Sequence, residues 1–137
     1  MLRSELAGHL EATVPELSAV HAHPAEVTAL PAVVIHPAPG IYWEPFVLRQ
    51  GGPALVAWAL VLEVLVTRTE PGPAIDHLEE LAGEIMASLA EWRPVGPGGE
   101  VRFQSFGDIG EVTVGDSPAV SGQLSILVPY PIMQPEL

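Results

Sequence analysis

The sequence predicts an α+β domain, in which an N-terminal helix and one long amphipathic helix pack on one face of an antiparallel or mixed β-sheet. Three observations lead to this prediction. Fifteen prolines, about twice the average share, divide the chain into stretches as long as single helices and strands. One stretch has the apolar spacing of an amphipathic helix, and alternating or β-branched segments stand on both sides of it. The 137 residues suffice for one domain spanning residues 1–137.

Residues 1–14 form the first predicted helix. Their large apolar side chains recur at every fourth position, which places them on one helical face. These side chains are Leu2, Leu6, Leu10 and Val14. Pro15 ends the helix, because proline breaks a helix interior. Acidic residues and a histidine interrupt the leucines, unlike the continuous apolar core of a secretory signal, so we place the chain in a cytoplasm when it is made.

Residues 32–53 contain a predicted strand followed by an aromatic loop. Ala32–Ile35 is short, β-branched and flanked by prolines, which is typical of a buried strand. Residues 37–53 form a predicted loop or irregular hairpin with its turn at Gln50–Pro53. The aromatic side chains of this loop are Tyr42, Trp43 and Phe46.

Residues 54–66 form the longest apolar run, interrupted only by Glu63. The run is shorter than the roughly 20 residues that cross a bilayer, so it belongs in a protein core. A helix is possible here, but the valines and threonines favour a long strand. One side of that strand carries Trp58, Leu60, Leu62, Val64 and Val66. Because the run is apolar on both sides, its second side must be covered by this domain's helices or by a neighbouring copy.

Residues 73–92 show the clearest helical pattern. Intervals of three and four residues separate the apolar positions Ile75, Leu78, Ala82, Ile85, Leu89 and Trp92. The opposite side carries Asp76, Glu79, Glu80 and Glu84. Pro73 suits the first turn, the early acids suit its positive end, and Arg93 followed by Pro94 suits the close of the helix. The pattern predicts an amphipathic helix lying on the sheet.

The last third of the chain predicts a β-meander of two or three strands. After a flexible linker at residues 95–99, the segments VRFQSF, EVTV and GQLSILV alternate with period two. Gly107, Gly110 and Gly115 supply the predicted turns. The proline-rich end, residues 129–137, is predicted to be an arm that orders against a partner or a frayed terminus.

The charge of the chain argues against nucleic-acid binding. A formal net charge of −12 results from 17 acidic residues against five arginines, and no lysine is present. Affinity for nucleic acids rests largely on Lys and Arg, and the arginines here form no cluster. An acidic surface repels DNA, which suits a protein past which DNA moves without sticking, although an ordinary soluble domain can be acidic too.

The sequence carries no recognisable catalytic motif. Cysteine is absent, which excludes a thiolate nucleophile and a cysteine-ligated metal. No serine lies in a Gly-x-Ser-x-Gly motif, and the missing lysine excludes a P-loop. The carboxylates Glu79, Glu80 and Glu84 lie on the polar face of a predicted surface helix. We therefore expect neither an enzyme nor a cofactor.

One weak metal motif is present. His21 and His23 could present two imidazoles on one side of a strand, and His36 or His77 could complete a site. The pair lies beside Pro24 in an irregular connection, which is more typical of a solvated loop. A small metal-dependent enzyme is therefore a distant alternative to a structural protein. A cellular dimeric ligand-binding domain with a closed apolar pocket is another.

Aromatic side chains provide the candidate interface residues. These are Tyr42, Trp43, Phe46, Trp58 and Tyr130. Aromatic side chains near a turn often anchor an interface, but they can equally fold back onto their own core. The sequence leaves both interpretations of the aromatic loop open.

Taken in order, the segments are an N-terminal helix, LPAVVIHP, the aromatic loop, WALVLEVLVTRT, IDHLEELAGEIMASLAEW and the closing strands from VRFQSF to GQLSILVPY. This order resembles the tail terminator family of siphophages over about residues 2–130. The resemblance lies in element order and pattern, without a catalytic signature. Head-completion, connector and tail-tube subunits of the same particle have similar small folds and are the alternative.

The resemblance implies a virion protein of the tail and neck that is present in the host cytoplasm during assembly. It implies a homo-oligomer, a hexameric ring, which caps the tail tube protein, stops its polymerisation and joins the tail to the head-tail connector protein. DNA would pass through the lumen without specific binding, and no membrane would be involved.

Overall fold

The computed structural model describes residues 2–40, 43–48, 54–97 and 99–131, with the backbone alone for residues 43–48, Ala54 and Pro71. Over these residues the chain forms two helices and one six-stranded mixed sheet, which confirms the α+β class. The elements are α1 Leu2–Thr13, β1 Ala19–His21, β2 Ala32–Pro37, β3 Trp43–Leu48, β4 Ala54–Thr67, α2 Pro71–Ala90, β5 Arg102–Val114 and β6 Ser117–Pro131.

Strand β4 lies at the centre of the sheet. The strand order is β1, β2, β4, β6, β5, where β1 and β2 are parallel and the other neighbours are antiparallel. One edge of β4 pairs with β6 from Leu55 to Thr67. Its other edge is shared, because β3 pairs with residues 54–58 and β2 with residues 60–65. The long strand predicted at residues 54–66 is confirmed.

Both helices cover the same face of the sheet and enclose the core with it. The even-numbered side chains of β4 that the sequence placed on one side are buried here, with Trp58 half-buried at the end of the row. The largest fully buried side chains opposite them are Leu6, Leu10, Leu78, Leu81, Ile85 and Leu89. Each such side chain stabilises the fold by roughly 1.5–3 kcal/mol relative to exposure, so the two helices hold the sheet mainly by hydrophobic burial.

The position of α2 corrects two details of the prediction. The helix begins at Pro71, whose missing N–H needs no partner in a first turn, and its first turn contains no acidic residue. Ile75 lies at the margin of the apolar arc and is 36% exposed, whereas Ala74 and Leu81 are buried. Arg93 does serve the helix end as predicted, because its Nη1 donates to the carbonyl of Ala90 at 2.6 Å.

The strands differ from the prediction in three places. The closing segment is a hairpin of two strands that turns at Gly115 (φ 60°), as predicted, but Gly107 and Gly110 lie inside β5 and do not form turns. Residues 129–131 of the predicted arm belong to β6, and residues 132–137 lie outside the described residues. The short strand β1 was not predicted, and it contains His21.

Gly122 of β6 marks a close approach between the sheet and α2. A Cβ atom there would lie 2.5 Å from Cζ of Phe106 and 3.1 Å from Cδ2 of Leu78. We predict that Gly122→Ala lowers the free energy of unfolding by about 1–3 kcal/mol, because overpacking displaces both side chains. Chemical denaturation measures the change. The control is Gly83→Ala on the exposed side of α2, where an added Cβ atom would meet nothing within 4 Å. This change should raise the free energy of unfolding by up to about 1 kcal/mol, because alanine favours a helix more than glycine does. If both substitutions changed the stability equally, the close approach at Gly122 would be contradicted.

Candidate functional site

The candidate site is the sheet face opposite the helices, which we call the open face. Side chains alternate along each strand, and the strand registers align the odd-numbered residues of β4 and β6 on this face. The open face comprises Ala32, Val34 and His36 of β2, Leu55, Ala57, Ala59, Val61, Glu63 and Leu65 of β4, Ser121, Gln123, Ser125, Leu127 and Pro129 of β6, and Arg102, Ser105 and Val112 of β5. None of these residues belongs to the core cluster beneath the helices.

The centre of the open face is apolar. Leu55, Ala57, Val61, Leu65 and Leu127 are each at most 9% exposed, although no helix of the described chain lies over them. Part of the covering comes from the end of the β5–β6 hairpin. Residues 112–115 and Glu26–Val27 line one depression of about 320 Å³ together with Glu63 and Leu65. The apolar centre of the open face is therefore largely shielded from solvent within the subunit, and the depression lies at its margin.

The open face carries few charged side chains, but it is not neutral. Glu63 and Arg102 belong to its strand residues, and the exposed Glu26 lines its depression. Nε2 of His36 lies 3.2 Å from Oε1 of Glu63. The exposed acidic residues of the two helices are Glu5, Glu11, Asp76, Glu79, Glu80 and Glu84. The outward sides of the two helices thus carry six of the 17 acidic residues.

A β-bulge interrupts β5 at the outer edge of the sheet. Gly107 pairs with Gln123 and Gly110 with Ser121, so two residues of β5 oppose one residue of β6. Asp108 has φ 52°, a conformation that Asp tolerates better than most side chains, and Ile109 is 44% exposed. The sequence analysis read these glycines as turns. A Gly-x-x-Gly pair within an alternating segment was the signal for a bulge.

Ser88, His9 and Thr13 form a polar network between the helices that has the composition of a catalytic dyad. Nε2 of His9 lies 3.0 Å from Oγ of Ser88 and 3.1 Å from the Ser88 carbonyl oxygen. A carbonyl only accepts, so Nε2 carries the proton. The hydroxyl of Thr13 donates to the carbonyl of His9, which leaves Ser88 Oγ to donate to Thr13. In this tautomer His9 is not a base toward Ser88, and the network joins α1 to α2.

The histidines of the weak metal motif do not converge on a metal site. Among the described residues no group of three or more His, Asp or Glu side chains could hold a metal ion. His21 lies in β1, where its Nε2 is buried without a hydrogen-bond partner in the described chain, and His23 is exposed in the connection that follows. His36 and His77 each pair with one carboxylate, Glu63 and Glu16.

The candidate interface aromatics fall into two groups. Tyr42 and the side chains of Trp43 and Phe46 lie outside the described residues, so their assignment stays a prediction. Trp58 and Tyr130 are half-buried and pack against the core cluster. Nε1 of Trp58 donates to the backbone carbonyl of Tyr130 at 3.3 Å, which ties the end of β6 to β4. Both rings therefore pack mostly within their own subunit.

The Tyr130 hydroxyl connects β6 to the first turns of α1. Burial raises the pKa of Tyr130 to about 12, and the hydrogen bond to Glu5 and its negative charge add to the effect. The neutral phenol is thus the form that the fold stabilises.

We predict that one tyrosinate signal titrates near pH 12 and is missing in Tyr130→Phe, as measured by ultraviolet absorbance. The folded state keeps this proton above pH 10, where an unfolded tyrosine loses it. The contribution to stability is therefore complete below pH 10 and is lost as the pH rises toward 12. The loss of stability between pH 10 and pH 12 should be smaller in Tyr130→Phe. Titration of both tyrosines near pH 10 would contradict the Glu5 contact.

Comparison with known proteins does not assign the chain to a family. No family model matches the chain, and no curated protein sequence matches it significantly. In the described part of the chain, no helix is long and apolar enough to cross a membrane.

Proposed function

We propose that the chain is a structural subunit of a phage particle, a tail terminator that forms a ring on the end of the tail tube. In that role it caps the tube, stops its polymerisation and joins the tail to the head connector. Its place is the neck of the virion, after assembly in the host cytoplasm. The observation that carries the proposal is the open face, which has an apolar centre although both described helices lie on the opposite side of the sheet.

Charge distribution supports self-assembly through this face. Two copies with a formal charge of −12 repel each other wherever their helix layers meet. The open face carries Glu63 and Arg102 with Glu26 at its margin, so a neighbour meets fewer carboxylates there than on the helix layer. Depletion of charged side chains around an apolar centre is also the composition of interface cores.

Element order is consistent with the terminator family. The helix, the buried short strand, the long central strand, the long helix and the closing strands follow one another as the resemblance requires. The polar network of Ser88 supports a structural role as well, because its protons are arranged to link two helices and not to activate a nucleophile.

The acidic helix layer supports passage of DNA through a ring. Carboxylates facing a lumen repel phosphates, so DNA slides past them without being retained. We propose that part of this acidic surface faces the hole.

Tube capping is the direct test of the function. Purified chain is added to the tube-forming protein of the same phage during polymerisation, and tube lengths are measured by electron microscopy. We expect shorter tubes that carry additional density at one end, because a bound ring blocks addition of further subunits. Density along the tube wall would indicate a tube-related subunit instead, and unaltered tubes with bare ends would refute the proposal.

DNA binding offers an independent test. We predict no measurable retention of duplex DNA by the chain at low or at physiological salt, as followed by fluorescence anisotropy. Affinity that is tight at low salt and falls steeply as salt is added would reveal cationic phosphate contacts. Such a result would contradict passage of DNA through an acidic lumen.

A further inference from the structure

The connection between β1 and β2 lies against the open face of the sheet. Residues 23–29 form this connection, and we call them the strap. Ala22, directly before the strap, packs against the core cluster on the helix side of the sheet. Glu26 and Val27 of the strap instead line the depression of about 320 Å³ together with Leu65 of the open face. The strap therefore lies on the side of the sheet that neither described helix covers.

The strap is attached to the rest of the subunit mainly at its two ends. At its far end, the hydroxyl and the N–H of Ser18 donate to the carbonyl oxygens of Leu30 and Pro31, at 2.9 and 2.8 Å. No residue of the strap itself forms a hydrogen bond within the described chain. Its side chains are exposed except for that of Val27, which is partly buried. Segments with so few hydrogen bonds and so little buried apolar surface open locally at a small fraction of the free energy of unfolding.

The other part of the chain that lines the depression is held much more firmly. It is the end of the β5–β6 hairpin, where Val112 pairs with Ala119 and Val114 pairs with Ser117. Leu65 lies in the central strand and has a paired strand on each side. The strap is therefore the part of the lining that can move while the sheet stays intact.

We propose that the strap opens and closes over the Leu65 end of the open face while the sheet and both helices stay folded. In the closed form Leu65 is 4% exposed, and the partly buried Val27 holds the strap in place. In the open form this end of the central strand meets solvent. The closed strap thus shields apolar surface that would otherwise promote unspecific association. This opening is a property of the single subunit and holds whether or not copies assemble.

Thiol labelling measures the opening directly. The chain has no cysteine, so Leu65→Cys and Leu62→Cys each carry one thiol, on opposite faces of the same strand. Leu65 and Leu62 are both buried in the closed form, at 4% and 0% exposure. We expect a maleimide to label Leu65→Cys at least about tenfold faster than Leu62→Cys in native buffer, because lifting the strap exposes only the first position.

The stability of each variant is the control for this comparison. Replacing a buried leucine with a smaller side chain lowers the free energy of unfolding, so that quantity is measured for both variants by chemical denaturation. Leu65→Cys should be labelled faster than its own global unfolding allows, and Leu62→Cys should not. Labelling of both variants at the rate set by global unfolding would overturn the strap.

The dependence on urea separates local opening from unfolding. The effect of urea on an opening reaction scales with the surface that the reaction exposes. Lifting the strap exposes little surface, so labelling of Leu65→Cys should change little at low urea concentrations. Labelling of Leu62→Cys should rise with the full slope of global unfolding. The same full slope for Leu65→Cys would refute the proposal.

Two neighbouring residues of the strap provide a matched pair of variants in the Leu65→Cys background. Val27→Ser removes the partly buried side chain and should speed labelling at least about threefold, because the closed form loses its apolar contact. Thr28→Ser changes an exposed side chain and should stay within about 1.5-fold of its parent. Circular dichroism confirms that both variants fold. Equal rates in Val27→Ser and Thr28→Ser would contradict a strap that Val27 holds closed.

Discussion

Strand β4 carries large apolar side chains on both of its faces, and the rest of the molecule is arranged around that constraint. One row meets α1 and α2, and Leu60, Leu62 and Val64 lose all contact with water there. The second row, with Val61 and Leu65, cannot be exposed without cost either. A single helix layer covers one side of a sheet only. The second row is nevertheless at most 9% exposed at Val61 and Leu65, and the end of the β5–β6 hairpin lines a depression together with Leu65.

The same constraint determines where the charge can lie. Side chains over the core must be apolar on their inner side, so the outward sides of α1 and α2 carry the carboxylates. The open face must be apolar because of β4 and therefore has little room for acids. Glu63 is the exception, and its contact with His36 keeps the carboxylate partnered within the face. This distribution of charge is the basis of the proposed self-assembly through the open face.

The sequence predicted the elements that follow a local periodicity, but it did not predict contacts between residues that are distant in the chain. The four-residue spacing from Leu2 to Val14, the alternation in β4 and the helical stripe of α2 follow from local periodicity, and they predict the core. The start of α2 was misplaced because Pro71 can begin a helix as well as Pro73. Ile75 was assigned to the buried side although it lies at the margin of the apolar arc. Strand β1 has only three residues and exists through its pairing with β2, which no local pattern reveals. The open face could not be predicted from the sequence, because its residues are identified only by the registers of four strands.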